Sequence, residues 1–179
     1  MDSLYNRYAS ALNSIAVEGK KVEIYRTKIK MVKKLIAENE ELIHLLSSCF
    51  ITEEEKEKVI DQIFKDEEEQ DIVNFIKVIV HNKRAKEMKR ICDEYIKISN
   101  AELGIKDGII YSTEKLEEQE ITKVEKKLSE VLKTKVELVN EIDQRLIGGI
   151  KVVIGDKVFD GSLKNKIESL KASLIAGGK

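Results

Sequence analysis

The sequence has 179 residues but no proline, no tryptophan, only two cysteines and two histidines, and 5% aromatic residues. Each shortage excludes something. Without proline, no helix is broken by a missing backbone donor or a ring clash, so long helices are favoured. Cys49 and Cys92 stand far apart with no CxxC spacing, and read as buried free thiols of a reducing compartment. His44 and His81 have no matching cysteine or carboxylate spacing, so a metal site is not expected. No run approaches the roughly 20 apolar residues that a bilayer span needs. The opening MDSLYNRYASALNSIA is charged early and lacks a long apolar core, so it reads as neither a secretory signal nor an Arg-rich transit peptide. The expectation is a soluble, cytoplasmic protein with no membrane insertion of its own.

What is present is charge and helical periodicity. Charged residues make up 36%, hydrophobic residues 42%, and the net charge is −1. That balance lacks the basic excess of a nucleic-acid binder. Two local blocks stand out: a basic run through Lys20, Lys21, Arg26, Lys28, Lys30, Lys33 and Lys34, and an acidic one from Glu53–Glu55 to Asp66–Glu69. Such blocks read as solvated helix faces, ahead of an RNA-binding surface.

Apolar spacing predicts helices over 4–17 and 22–37, with Gly19 between them, and a short helix around Leu42–Leu46. Thr52 followed by Glu55 is a capping box that starts a fourth helix. The segment 71–81 is apolar nearly all round, so it is either central or half-covered by another molecule. A sixth helix is expected over 83–102. The pattern then changes to a strand at 108–113, an amphipathic helix at 117–133, and strands at 136–142, 150–154 and 157–159. Gly155-Asp156 reads as a two-residue hairpin turn. A last helix carries Leu163, Ile167, Leu170 and Leu174. The predicted class is α+β: a six-helix bundle over 1–103, then a small mixed β-α-β-β-β-α domain over 104–179.

The chain offers little chemistry. Gly148, Gly149 and Gly155 fit neither G-x-G-x-x-G nor a P-loop, since Asp156 stands where lysine would follow. Asp160-Gly161-Ser162 precedes the last helix, where Asp and Ser cap free backbone donors, and no histidine stands near to activate the serine. No catalytic residue, metal or cofactor is expected.

The stretch Leu146-Ile147-Gly148-Gly149, Val153-Ile154-Gly155-Asp156-Lys157-Val158, Asp160-Gly161-Ser162-Leu163 and Leu170 resembles the signature of the δ-subunit family of bacterial F-type ATP synthases, relatives of the mitochondrial oligomycin-sensitivity-conferring protein. Tyr8-Ala9-Ser10-Ala11-Leu12 is similar to the family's opening pattern, and Phe75–Ile79 with Asn82-Lys83-Arg84 to its fifth helix and following turn. The resemblance implies a non-catalytic stator at the cytoplasmic face of the bacterial membrane, held there by the synthase complex. It implies that the helical domain grips the N-terminal helix of an α subunit between its first and fifth helices. The C-terminal domain would meet the C-terminal ends of the b subunits. The groove residues would be Tyr8, Ala11, Leu12, Asn74 and Val78, and the glycine-rich stretch would be a structural joint. The alternatives are a helical adaptor or assembly factor for amphipathic helices, and an RNA-binding protein using the basic run.

Overall fold

The computed structural model describes residues 4–163, 165 and 167. The chain divides into two compact units, Met1–Leu103 and Gly104–Lys179. The class is α+β, with seven α-helices among the described residues and one four-stranded mixed sheet.

The first unit contains α1 (Leu4–Glu18), α2 (Val22–Glu38), α3 (Glu40–Ser47), α4 (Glu53–Ile63), α5 (Gln70–His81) and α6 (Met88–Glu102). One core collects their inward faces, among them Leu12, Tyr25, Ile29, Ile60, Ile72, Ile79, Ile91 and Tyr95. The capping box forms as predicted: Glu55 N–H donates to the Thr52 hydroxyl at 3.3 Å, and Thr52 N–H donates to Glu55 Oε2 at 2.9 Å.

Helix ends depart from expectation in one recurring way. Glycine is the usual left-handed residue after a helix, and Gly19 was expected to play that part. Instead Lys20 takes it, with φ 55°, and its neighbour Lys21 donates back to the Ala16 carbonyl at 2.8 Å. Lys83 (φ 57°) does the same after α5, where Arg84 N–H reaches Ile79 O at 2.9 Å. The reversal at Lys83, followed by a 3-10 turn over Ala85–Glu87, delays α6 to Met88 rather than 83.

The charge blocks also differ from free solvated faces. Lys21 Nζ meets Glu69 Oε2 at 2.7 Å, and Lys28 Nζ meets Glu67 Oε1 at 2.9 Å. The basic face of α2 is thus stitched to the acidic connection before α5. Lys33 adds a contact to Asp93 on α6 at 2.5 Å. Of the cysteines, Cys92 is buried as expected, but Cys49 is exposed because it follows the C-terminus of α3.

The second unit contains β1 (Lys106–Ser112), α7 (Glu118–Leu132), β2 (Val136–Ile142), β3 (Lys151–Ile154) and β4 (Lys157–Asp160). The strand order is β2-β1-β3-β4, with β1 parallel to β2 and the other pairs antiparallel. The parallel pair is joined by α7, as parallel strands require a crossover. Leu128 of α7 packs with Ile110, Val136, Leu138, Val152 and Ile154. The opposite face carries a cross-strand row, Val139, Ile109, Val153 and Val158, paired in register. The last helix opens at Leu163, and its expected positions Leu170 and Leu174 lie outside the described residues.

Candidate partner-binding surface

Helix α1 has two apolar stripes because its sequence places small and large apolar residues at two helical phases. Ala9, Leu12 and Ala16 are buried and form the inward stripe. Tyr8, Ala11 and Ile15 lie one helical phase away, at i, i+3 and i+7. Tyr8 is half-buried, Ala11 is exposed, and Ile15 is 46% exposed. Leu12 therefore leaves the expected surface set. At 1% exposure it belongs to the core with Ala9 and Ala16, although at i+4 it also shares a face with Tyr8. Ile15 joins this surface set, although it is as large and apolar as Leu12. Its spacing from Tyr8 and Ala11 was the available signal. At the start of the helix, Arg90 of α6 donates to the Tyr5 hydroxyl at 3.1 Å, with its guanidinium 5.8 Å from the ring centroid.

Helix α5 is likewise two-sided. Ile72, Val73, Phe75, Ile76, Ile79 and Val80 are buried. Lys77 Nζ pairs with Asp61 of α4 at 2.7 Å, and His81 Nδ1 with Glu53 at 2.9 Å. Asp71 accepts from the Tyr25 hydroxyl of α2 at 2.5 Å. Burial and this carboxylate push the Tyr25 phenol well above its ordinary range, so it stays a donor. These contacts fix the helix and leave Asn74 and Val78 exposed, Val78 by 49%. A valine so placed leaves about half of its surface outside the core of its own unit.

The glycine-rich stretch holds backbone to backbone. Leu163 N–H donates to Gly148 O at 3.0 Å, and Gly161 N–H donates to Ile150 O at 2.9 Å. Gly149 sits at φ 80°, and a Cβ there would stand 2.6 Å from Gly161 O. Asp160 Oδ1 accepts from Ser162 N–H at 2.9 Å, and Ser162 Oγ accepts from Asn165 N–H at 3.3 Å. Ser162 thus caps the last helix and is itself buried. Gly155 and Asp156 form the turn between β3 and β4, with Gly155 at φ 55°. Free N–H donors facing a cavity would make a phosphate cradle. Here the N–H groups of Gly161, Ser162 and Leu163 are bonded to the protein itself.

The sequence profile of the family described as ATP synthase delta (OSCP) subunit matches residues 4–174. The chain belongs to that family. It is 39% identical over 168 residues to the ATP synthase subunit delta of Mycoplasma mobile, covering 94% of this chain and 93% of that protein. It is 32% identical over 170 residues to the ATP synthase subunit delta of Bacillus cytotoxicus, covering 94% of each. A chain of the Toxoplasma gondii mitochondrial ATP synthase hexamer shares the fold, with a TM-score of 0.68 at 18% identity over 97% of this chain and 98% of that one. Among the described residues no helix is long and apolar enough to cross a membrane.

Proposed function

We propose that this delta-family chain is a non-catalytic stator subunit of a bacterial F-type ATP synthase, linking the catalytic head to the peripheral stalk. The observation that carries the reading is the pair of two-sided helices. Beyond the buried stripes of α1 and α5, Ala11 and Ile15 on one and Asn74 and Val78 on the other are exposed, beside half-buried Tyr8 at the edge of the core. The partner is the N-terminal helix of an α subunit. An amphipathic helix laid against such residues gains affinity by burying apolar area. Exposed Ala11 permits close backbone approach, and Tyr8 supplies area with a polar tip.

The second unit takes the C-terminal ends of the b subunits. Its exposed cross-strand valines, Val139 and Val158, offer apolar area for that contact. The work is mechanical. Rotor torque tends to drag the head round, and a chain bound to both head and stalk resists it. Two contacts on one chain raise each other's effective concentration, so modest affinities combine. The RNA-binding reading of the basic run is disfavoured, since Lys21, Lys28 and Lys33 are engaged by carboxylates.

Reconstitution tests the role. Synthase stripped of its delta subunit and placed in vesicles should regain ATP-driven proton pumping on addition of this chain. Restored hydrolysis without pumping, or no association with the stripped complex, would instead favour a helical adaptor acting elsewhere.

A further inference from the structure

The sheet of the second unit ends on two edges of different character. β4 is four residues long, with Lys157 and Asp160 at its ends. A short strand with charged residues is a poor template for further pairing. β2 runs for seven residues and carries no lysine, proline or glycine to blunt it. Just before β2, Lys135 O accepts from Lys106 N–H at 2.8 Å, and just after it Asp143 N–H donates to Ser112 O at 2.9 Å. Both bonds face β1, and the backbone groups of successive strand residues alternate in direction. The N–H and C=O groups of Val136, Leu138, Asn140 and Ile142 therefore point away from β1, where a further strand would pair.

Helix α7 reaches over this edge. Leu138 N–H donates to Glu125 Oε1 at 2.7 Å, and Val136 N–H donates to Ser129 Oγ at 2.9 Å. The two spacings match: four helical residues rise about 6 Å and two strand residues about 6.6 Å. Side chains one turn apart on α7 thus meet alternate N–H groups of β2. Leu128, between them in sequence, is buried with Val136 and Leu138 in one core and holds the helix at that height. The bond to the Glu125 carboxylate is charge-assisted, the stronger kind.

We infer that Glu125 and Ser129 close the β2 edge against strand pairing with a second copy of this chain. A second copy fits because β2 is complementary to itself. Laid antiparallel on another β2 about Val139, it sets Val136 opposite Ile142 and Leu138 opposite Asn140, so every outward residue meets an outward residue. The apolar row of the open face would continue from one sheet into the next through the two Val139 side chains. Engaging the N–H groups of Val136 and Leu138 removes half of that ladder. The inference stands apart from the stator role, since neither α1 nor α5 takes part.

Sedimentation velocity of the full chain over a range of concentrations tests this. Wild type should keep the mass of one chain throughout. The double variant Glu125→Ala with Ser129→Ala, folded by circular dichroism, should move toward the mass of two as its concentration rises. Glu125→Gln alone keeps an acceptor oxygen at the same place and should behave as wild type. Adding Val139→Lys to the double variant should abolish the association, because two like charges would face each other across the pair. Val139 is 65% exposed, so a lysine is accommodated there. A folded double variant that keeps the mass of one chain would overturn the inference. So would association that survives Val139→Lys, or wild type that associates as strongly as the variant. Should the double variant not fold, Glu125→Ala alone is read in the same way: folded and still a single chain, it rejects the closure.

Discussion

Replacing Gly149 by alanine isolates the claim that the glycine-rich stretch is a joint and not a ligand loop. Gly149 stands at φ 80°, and an added Cβ would lie 2.6 Å from Gly161 O and 3.1 Å from Ser162 Cα. Both neighbours are backbone, so no flexible side chain can swing away. The left-handed conformation alone costs an L-residue about 1–2 kcal/mol. Relief of the clash must separate residues 148–150 from 161–163, which stretches the Gly161–Ile150 and Leu163–Gly148 hydrogen bonds. Losing one such bond costs about 1 kcal/mol. The lower entropy of the unfolded alanine chain offsets about 0.4–1 kcal/mol of this. The net expectation is a loss of about 2 kcal/mol, confined to the second unit. Native-state hydrogen exchange at Val152 and Ile154 reads that unit's opening free energy directly. The control is Gly155→Asn: φ is again positive, at 55°, but nothing lies within 4 Å, and asparagine tolerates the conformation. Gly149→Ala within about 0.5 kcal/mol of wild type, or no worse than the control, would refute the reasoning.

Three further outcomes follow from local geometry. The Tyr95 hydroxyl is buried without a hydrogen-bond partner, so Tyr95→Phe should be neutral or stabilising by about 1 kcal/mol in urea unfolding; a loss would reveal a partner. Lys133 ends α7 at φ 51°, so Lys133→Gly should stabilise the second unit by up to about 1 kcal/mol, read by the same exchange measurement. Asp143 accepts side-chain and backbone hydrogen bonds from Arg145, which hold its carboxyl at about 2, below its ordinary 3.8. Its contribution to stability is therefore present above 3.8 and lost as the pH falls through about 2. Carbon-detected NMR should show that midpoint, and Arg145→Gln should move it back up.

The parts of the fold legible in the sequence were those governed by local pattern. With no proline to interrupt them, apolar stripes at helical spacing located α1 to α5. The alternation from Val136 to Ile142 located β2, and Thr52 with Glu55 announced α4. What escaped depends on geometry that residue type does not announce. Lys20 holds the left-handed position expected of Gly19, Lys83 and Lys133 hold two more, and Lys83 moved the start of α6. The pairing of Lys21 with Glu69, 48 positions away, and of Lys28 with Glu67 joins distant parts of the chain, which charge runs cannot reveal. At the candidate surface, Leu12 and Ile15 are both large and apolar and differ by three positions. Helical spacing groups Ile15 with Tyr8 and Ala11, but it is the packed structure that shows Leu12 as core and Ile15 as exposed.

The most direct test of the stator account is calorimetric titration of a peptide of the α subunit's N-terminal helix into the full chain, alongside Val78→Asp. Val78 is 49% exposed, so the aspartate should leave the fold intact while placing a charge where the helix must bury apolar area. The account predicts saturable one-to-one binding to wild type and its loss in the folded variant. Equal binding by both proteins would contradict the placement on α5. Absence of binding by well-folded wild type would contradict the claim that this chain grips the catalytic head through its helical unit.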